Sequence, residues 1–172
     1  GWELMGAKVF DPTAGTLKEL VAEIENSDYA NFIITSESFS LIGPQSIHRL
    51  ASEVTAFSVK ILVYLRRQDQ FMQSVWSEVT KKGNNSESFT NWSRSMQNDS
   101  KVNYEQLIQN WGVSFGRENI IVRPFESIQL HGHIYHDFLQ TCGIPGFEDF
   151  PFPAKSNVSP SFTTLELIRA II

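Results

Sequence analysis

Two adjacent arginines, Arg66 and Arg67, and a serine eight positions after the first of them, Ser74, are the side chains best placed to do chemistry. They follow a continuous apolar run, Ile61, Leu62, Val63, Tyr64 and Leu65, which reads as a strand covered on both faces in a parallel sheet. Ligands of such sheets bind at the C-terminal ends of the strands, where the arginines stand. Phe71, Met72, Val75, Trp76 and Val79 then recur at helical spacing and leave Gln70, Gln73, Ser74 and Ser77 on the opposite face. A guanidinium fork at a strand end, the free amides of a helix N-terminus and a hydroxyl on the first turns are complementary donors to a phosphate or sulfate. A surface ion pair over an ordinary core helix would produce the same pattern, so the spacing alone leaves both open.

The elements that position these residues are marked by caps and periodicity. Thr16, Leu17, Lys18 and Glu19 form a capping box that opens a helix through about Ser27, with Leu17, Leu20, Val21 and Ile24 on its buried face. Phe32 to Thr35 reads as a short strand ending in the polar loop Ser36, Glu37, Ser38. Pro44 suits the first turn of a helix whose stripe is Ile47, Leu50, Ala51 and Val54. After the strand, arginine pair and helix, Gly83 to Asp99 is polar, rich in Asn and Ser, with two aromatics, Phe89 and Trp92, and reads as a loop or lid. Tyr104, Leu107, Ile108, Trp111 and Phe115 define a helix closed by Gly116, and Asn119 to Arg123 a further strand. A helix led by His131 to Leu139, a loop with Pro145, Pro151 and Pro153, and a last helix capped at Ser159 and Pro160 complete the chain. Helices separating buried strands imply crossovers, hence an α/β fold with a three-layer, mostly parallel sheet.

Composition narrows the function classes. The 172 residues suffice for one domain with a core, expected over 1–172 and trimmed at both ends, because it lacks a starting Met and stops within an apolar helix. A net charge of -5 argues against a general nucleic-acid or anionic-membrane binder, so an anion site must be focal. No run reaches the roughly 18 apolar residues of a membrane span, and no signal peptide is visible. The single cysteine, Cys142, calls for no oxidising compartment and is expected in the core, and a cytoplasmic location is expected. Four Asn-x-Ser sequons, at Asn84, Asn91, Asn98 and Asn157, are read as compositional because Ser and Thr make up 28 of the 172 residues. His131, His133 and His136 look like a zinc pattern, but no cysteine or carboxylate spacing completes a site. They are read as solvated or capping, and no metal is expected.

The arginine-to-serine segment behind VYLR resembles the part of sulfotransferases that holds the 3'-phosphate of 3'-phosphoadenosine 5'-phosphosulfate. Other stretches fall in that family's order: IITSESFS from Ile33, FGRENIIVRPFE from Phe115, HDFLQTCGI from His136 and NVS from Asn157. The likeness covers roughly residues 30 to 172 and is nearest to bacterial sulfotransferases acting on glycans. It implies a P-loop NTPase-like sulfotransferase fold and transfer of a sulfuryl group from 3'-phosphoadenosine 5'-phosphosulfate, the co-substrate, to a hydroxyl, with a carbohydrate as the acceptor. It further implies Arg66 and Ser74 as ligands of the 3'-phosphate with Arg67 as a lesser partner, and Glu37 as the base on a catalytic loop. Arg123 and Glu126 match a strand-end acidic motif whose role is an ion pair beneath the site, and Lys155 could close over the nucleotide.

Sulfuryl transfer needs a base at the acceptor oxygen and positive charge on the donor as its bridging oxygen leaves. The family supplies that charge from a second loop with a lysine. Gly1 and Gly6 match the outer glycines of such a loop, but Ala7 stands where the lysine belongs and Lys8 is displaced by one. Two rival readings therefore stand beside the enzyme: a non-catalytic nucleotide- or glycan-binding remnant of the fold, and a phosphotransferase of the wider P-loop class.

Overall fold

The computed structural model describes residues 15–97, 99–126, 133–146 and 160–171. It is an α/β arrangement in which a parallel pair of strands is accompanied by helices. In chain order these are α1 (Leu17–Glu25), α2 (Pro44–Glu53), β1 (Ile61–Leu65), α3 (Gln68–Lys81), α4 (Phe89–Ser95), α5 (Tyr104–Phe115), β2 (Ile120–Pro124), α6 (Ile134–Thr141) and α7 (Phe162–Ile171). Contacts group the chain into two units, one of residues 1–63 and 103–121, the other of 64–102 and 122–172.

The first unit is built on α1, α2 and α5. The capping box expected at Thr16 is present: the Thr16 hydroxyl accepts from the Glu19 N–H at 3.1 Å, and the Glu19 carboxylate accepts from the Thr16 N–H at 2.6 Å. Such a cap is worth about 0.5–2 kcal/mol. Ile47 is fully buried and packs with Leu17, Ile42 and Trp111, the latter edge-on to Phe39 and stacked on Phe115. Gly116 ends α5 at φ 86°, a backbone state that few side chains adopt. Its amide bonds back to the Gly112 carbonyl and turns the chain into β2.

The second unit is organised by α3, against which α4 and α7 pack. Trp76 is its anchor, with no exposed surface. Its ring lies edge-on to Phe89 and stacked on Phe162, both at 5.7 Å, and its indole N–H donates to the Glu87 carbonyl at 3.1 Å. α3 closes with Gly83 at φ 75°, where the Gly83 and Asn84 amides bond to the Thr80 and Val79 carbonyls.

Three expectations are corrected. Phe32 to Thr35 belongs to no strand: no described segment pairs with its backbone, and Phe32, Ile33 and Ile34 stay exposed. The stretch after Gly83 is no simple loop, because Ser88 caps α4 by accepting from the Asn91 N–H and Phe89 packs on Trp76. Cys142 is exposed, since α6 stops at Thr141 and the cysteine falls on its C-terminal cap. No described helix is long and apolar enough to cross a membrane.

Candidate functional site

The ends of β1 and β2 in the second unit carry the candidate site. The Phe125 N–H donates to the Leu65 carbonyl at 2.8 Å, the last rung before both chains leave the sheet. One residue on, the Arg66 guanidinium lies over the Phe125 ring, 4.7 Å from its centroid. Such a cation–π contact is worth about 0.5–1 kcal/mol at an exposed site. No carboxylate pairs with Arg66 among the described residues, so its positive charge is available to a ligand.

Arg67 is placed differently. It is the N-cap of α3, and its guanidinium grips Asp69 in a fork, Nε to Oδ1 at 3.2 Å and Nη2 to Oδ2 at 2.6 Å. The bond from Arg67, aided by the Gln70 amide, holds the Asp69 carboxyl below the usual carboxylate range. The same bond, with the charge behind it, raises the Arg67 guanidinium further above its already high value. Both side chains are 63% exposed, so the pair is one that solvent screens. Ser74 lies on the second turn of α3, exposed, on the helical face that Arg67 and Gln70 begin.

Beneath this surface lies a buried carboxylate that the sequence pattern did not single out. Asp137, on the first turn of α6, has no exposed surface. The Tyr64 hydroxyl donates to its Oδ1 at 2.6 Å, Arg123 Nε donates to Oδ1 at 3.0 Å, and Arg123 Nη2 donates to Oδ2. Burial, with the Asp137 bond and charge, pushes the Tyr64 phenol well above its ordinary value. The Arg123 guanidinium is likewise raised by its bond to Asp137. The expected ion pair beneath the strand ends therefore exists, with Asp137 rather than Glu126 as its acid. Glu126 instead keeps a buried Oε1 with no hydrogen-bond partner among the described residues.

The remaining sequence candidates separate. Glu37 opens a short 3₁₀ turn, Glu37–Ser40, in the first unit, capped by Ser36, and is exposed. His133 is the N-cap of α6, its Nδ1 accepting from the Tyr135 amide at 3.3 Å and its ring stacked on Tyr135, which is the capping role expected of it. Lys155, His131, Asn98, Asn157 and the glycines at 1 and 6 lie outside the described residues. Asp137 could have been found from the sequence only through register, since Tyr64 is 73 residues away.

The described arrangement offers one unpaired guanidinium at a strand end, a second held by an acid, and a hydroxyl on the following helix. Those are groups that bind an anionic ester.

No family model matches the chain, and no solved structure matches it. An uncharacterized protein of Archaeoglobus fulgidus is 28% identical to it over 140 residues, which cover 81% of this chain and 37% of that protein. The chain thus matches little more than a third of the length of that relative.

Proposed function

We propose that the chain is the 3'-phosphate-binding part of a sulfotransferase that moves a sulfuryl group from 3'-phosphoadenosine 5'-phosphosulfate to a hydroxyl, with a carbohydrate as the acceptor. The single observation that supports it most is Arg66. It leaves the C-terminal end of a parallel strand with no acid to neutralise it among the described residues, is held over an aromatic ring, and is followed by a helix carrying Ser74 eight residues later. A phosphate monoester there would take an ion-paired hydrogen bond from the Arg66 guanidinium and a further hydrogen bond from the Ser74 hydroxyl.

In this reading Arg66 and Ser74 hold the 3'-phosphate, Arg67 reaches it only by leaving Asp69, and Glu37 takes the proton from the acceptor hydroxyl as its oxygen attacks sulfur. The S–O bond to the departing 5'-phosphate breaks as the new S–O bond forms. The charge that grows on the bridging oxygen needs a second loop with amides and a cation. The fold assigned to the whole is the three-layer, mostly parallel P-loop-like sheet of sulfotransferases, in a cytoplasmic enzyme. Of the two rivals, the wider P-loop phosphotransferase would bind ATP in preference, which the same titration reads.

Isothermal titration with adenosine 3',5'-bisphosphate, AMP and ATP tests the site. The bisphosphate should bind at least about tenfold more tightly than AMP, the value of one good charged contact, and Arg66→Ala should remove the difference. Equal affinity for AMP and the bisphosphate would overturn the assignment.

A further inference from the structure

We infer that Asp137 is a positioning residue for Arg66, acting by tying β1 to β2 one step below the guanidinium. The bond from the Phe125 amide to the Leu65 carbonyl fixes the register of the parallel pair: Leu65 stands beside Pro124, Tyr64 beside Arg123, and Arg66 beside Phe125. Side chains alternate between the faces of a strand, so Tyr64 and Arg66 share a face with Arg123 and Phe125. Two cross-strand pairs are thus stacked along one face. The lower pair, Tyr64 and Arg123, converges on the Asp137 carboxylate. The upper pair is the stack of Arg66 on Phe125, at the 4.7 Å that this register places within reach.

The strands need such a tie at this point. A two-stranded pair has little stability of its own, and the backbone ladder ends at Leu65. One carboxylate accepting from both strands sets their spacing just where Arg66 leaves the sheet. Asp137 is itself held by α6, whose first turn is capped by His133 and whose Thr141 hydroxyl donates to the Asp137 carbonyl at 2.6 Å. The pose of Arg66 follows from these contacts; its use in holding a donor phosphate rests on the function proposed above.

The test reads the pose directly. The Nε–H signal of Arg66 in a proton–nitrogen NMR spectrum, assigned by its loss in Arg66→Lys, is displaced by the ring current of Phe125 while the stack persists. Tyr64→Phe removes one bond to Asp137 and keeps the ring; Asp137→Asn weakens the tie to both strands. In each the displacement should collapse toward the position of a free arginine. The affinity for adenosine 3',5'-bisphosphate should fall about three- to tenfold with it. If Asp137→Asn does not fold, Tyr64→Phe carries the measurement alone. A signal unmoved in Tyr64→Phe, in a protein that unfolds at lower urea, shows a tie that only stabilises and overturns the inference. A signal that collapses as described, in a wild-type protein that binds no adenosine 3',5'-bisphosphate, upholds the positioning and removes the donor reading instead.

Discussion

Arg66 and Arg67 are neighbours of the same residue type, yet their surroundings make them unequal, and truncating each should show it. Arg66 has an aromatic ring beneath it and no acid beside it among the described residues, so a bound phosphate meets its full charge. Removing a charge-assisted contact costs about 1.5–3 kcal/mol, which makes Arg66→Ala weaker by about 10- to 150-fold for adenosine 3',5'-bisphosphate. Arg67 already has both edges of its fork on Asp69, in a pair 63% exposed on each side. A phosphate gains from it only what exceeds that pair, and removing Arg67 also leaves Asp69 unneutralised beside the site. Arg67→Ala should therefore weaken binding by no more than about fivefold, the range of an exposed ion pair. Asp69→Asn removes the competing acid and frees the guanidinium, and should strengthen binding by a similar factor. Isothermal titration at one fixed ionic strength gives the affinities of wild type and the three variants. A loss on Arg67→Ala as large as that on Arg66→Ala would refute the reasoning, and so would an unchanged affinity in Asp69→Asn, because both outcomes mean the pair does not withhold the second charge.

Other consequences concern the frame. Trp76→Ala removes the buried anchor of α3 and its bond to Glu87 and should destabilise by about 3–5 kcal/mol in urea unfolding; a loss below about 1 kcal/mol would show that the contacts to Phe89 and Phe162 are loose. Tyr64 is raised in the folded protein, so the neutral phenol is the form the fold favours. Its stabilising contribution is complete below the ordinary tyrosine value of about 10 and is lost as pH rises above it. The stability gap between wild type and Tyr64→Phe should accordingly narrow above about pH 10, and a gap that stays constant there would contradict the buried bond. Gly116→Ala forces a side chain into φ 86° and against the Glu118 carboxylate and should cost about 1–3 kcal/mol, read by thermal melting.

How much of this was legible in the sequence depends on how far apart the deciding groups lie. β1, the arginine pair and α3 were legible because a continuous apolar run gives way to a 3.6-residue stripe within a few positions, and the caps at Thr16 and Gly83 are local signals. α4 was legible in principle: Ser88 before a helix, with Phe89 and Trp92 one turn apart, carries the information, though surrounding Asn and Ser outweighed it. The strand expected at Phe32 to Thr35 shows the opposite case. Its residues have the right propensity, but a strand exists only against a neighbour, and nothing inside a five-residue window specifies one. The Asp137 bridge is further out of reach, since it depends on parallel register between segments separated by some 60 residues and on a helix that follows both. The Arg67–Asp69 fork is instructive because it is local and still changes the chemistry. Two arginines before a helix suggest a doubly charged cradle, but an aspartate two residues later is itself an anion that this helix start accepts. What an arriving phosphate meets is set by the number of guanidiniums without an acid partner, and at the end of β1 that is, among the described residues, Arg66 alone of the two.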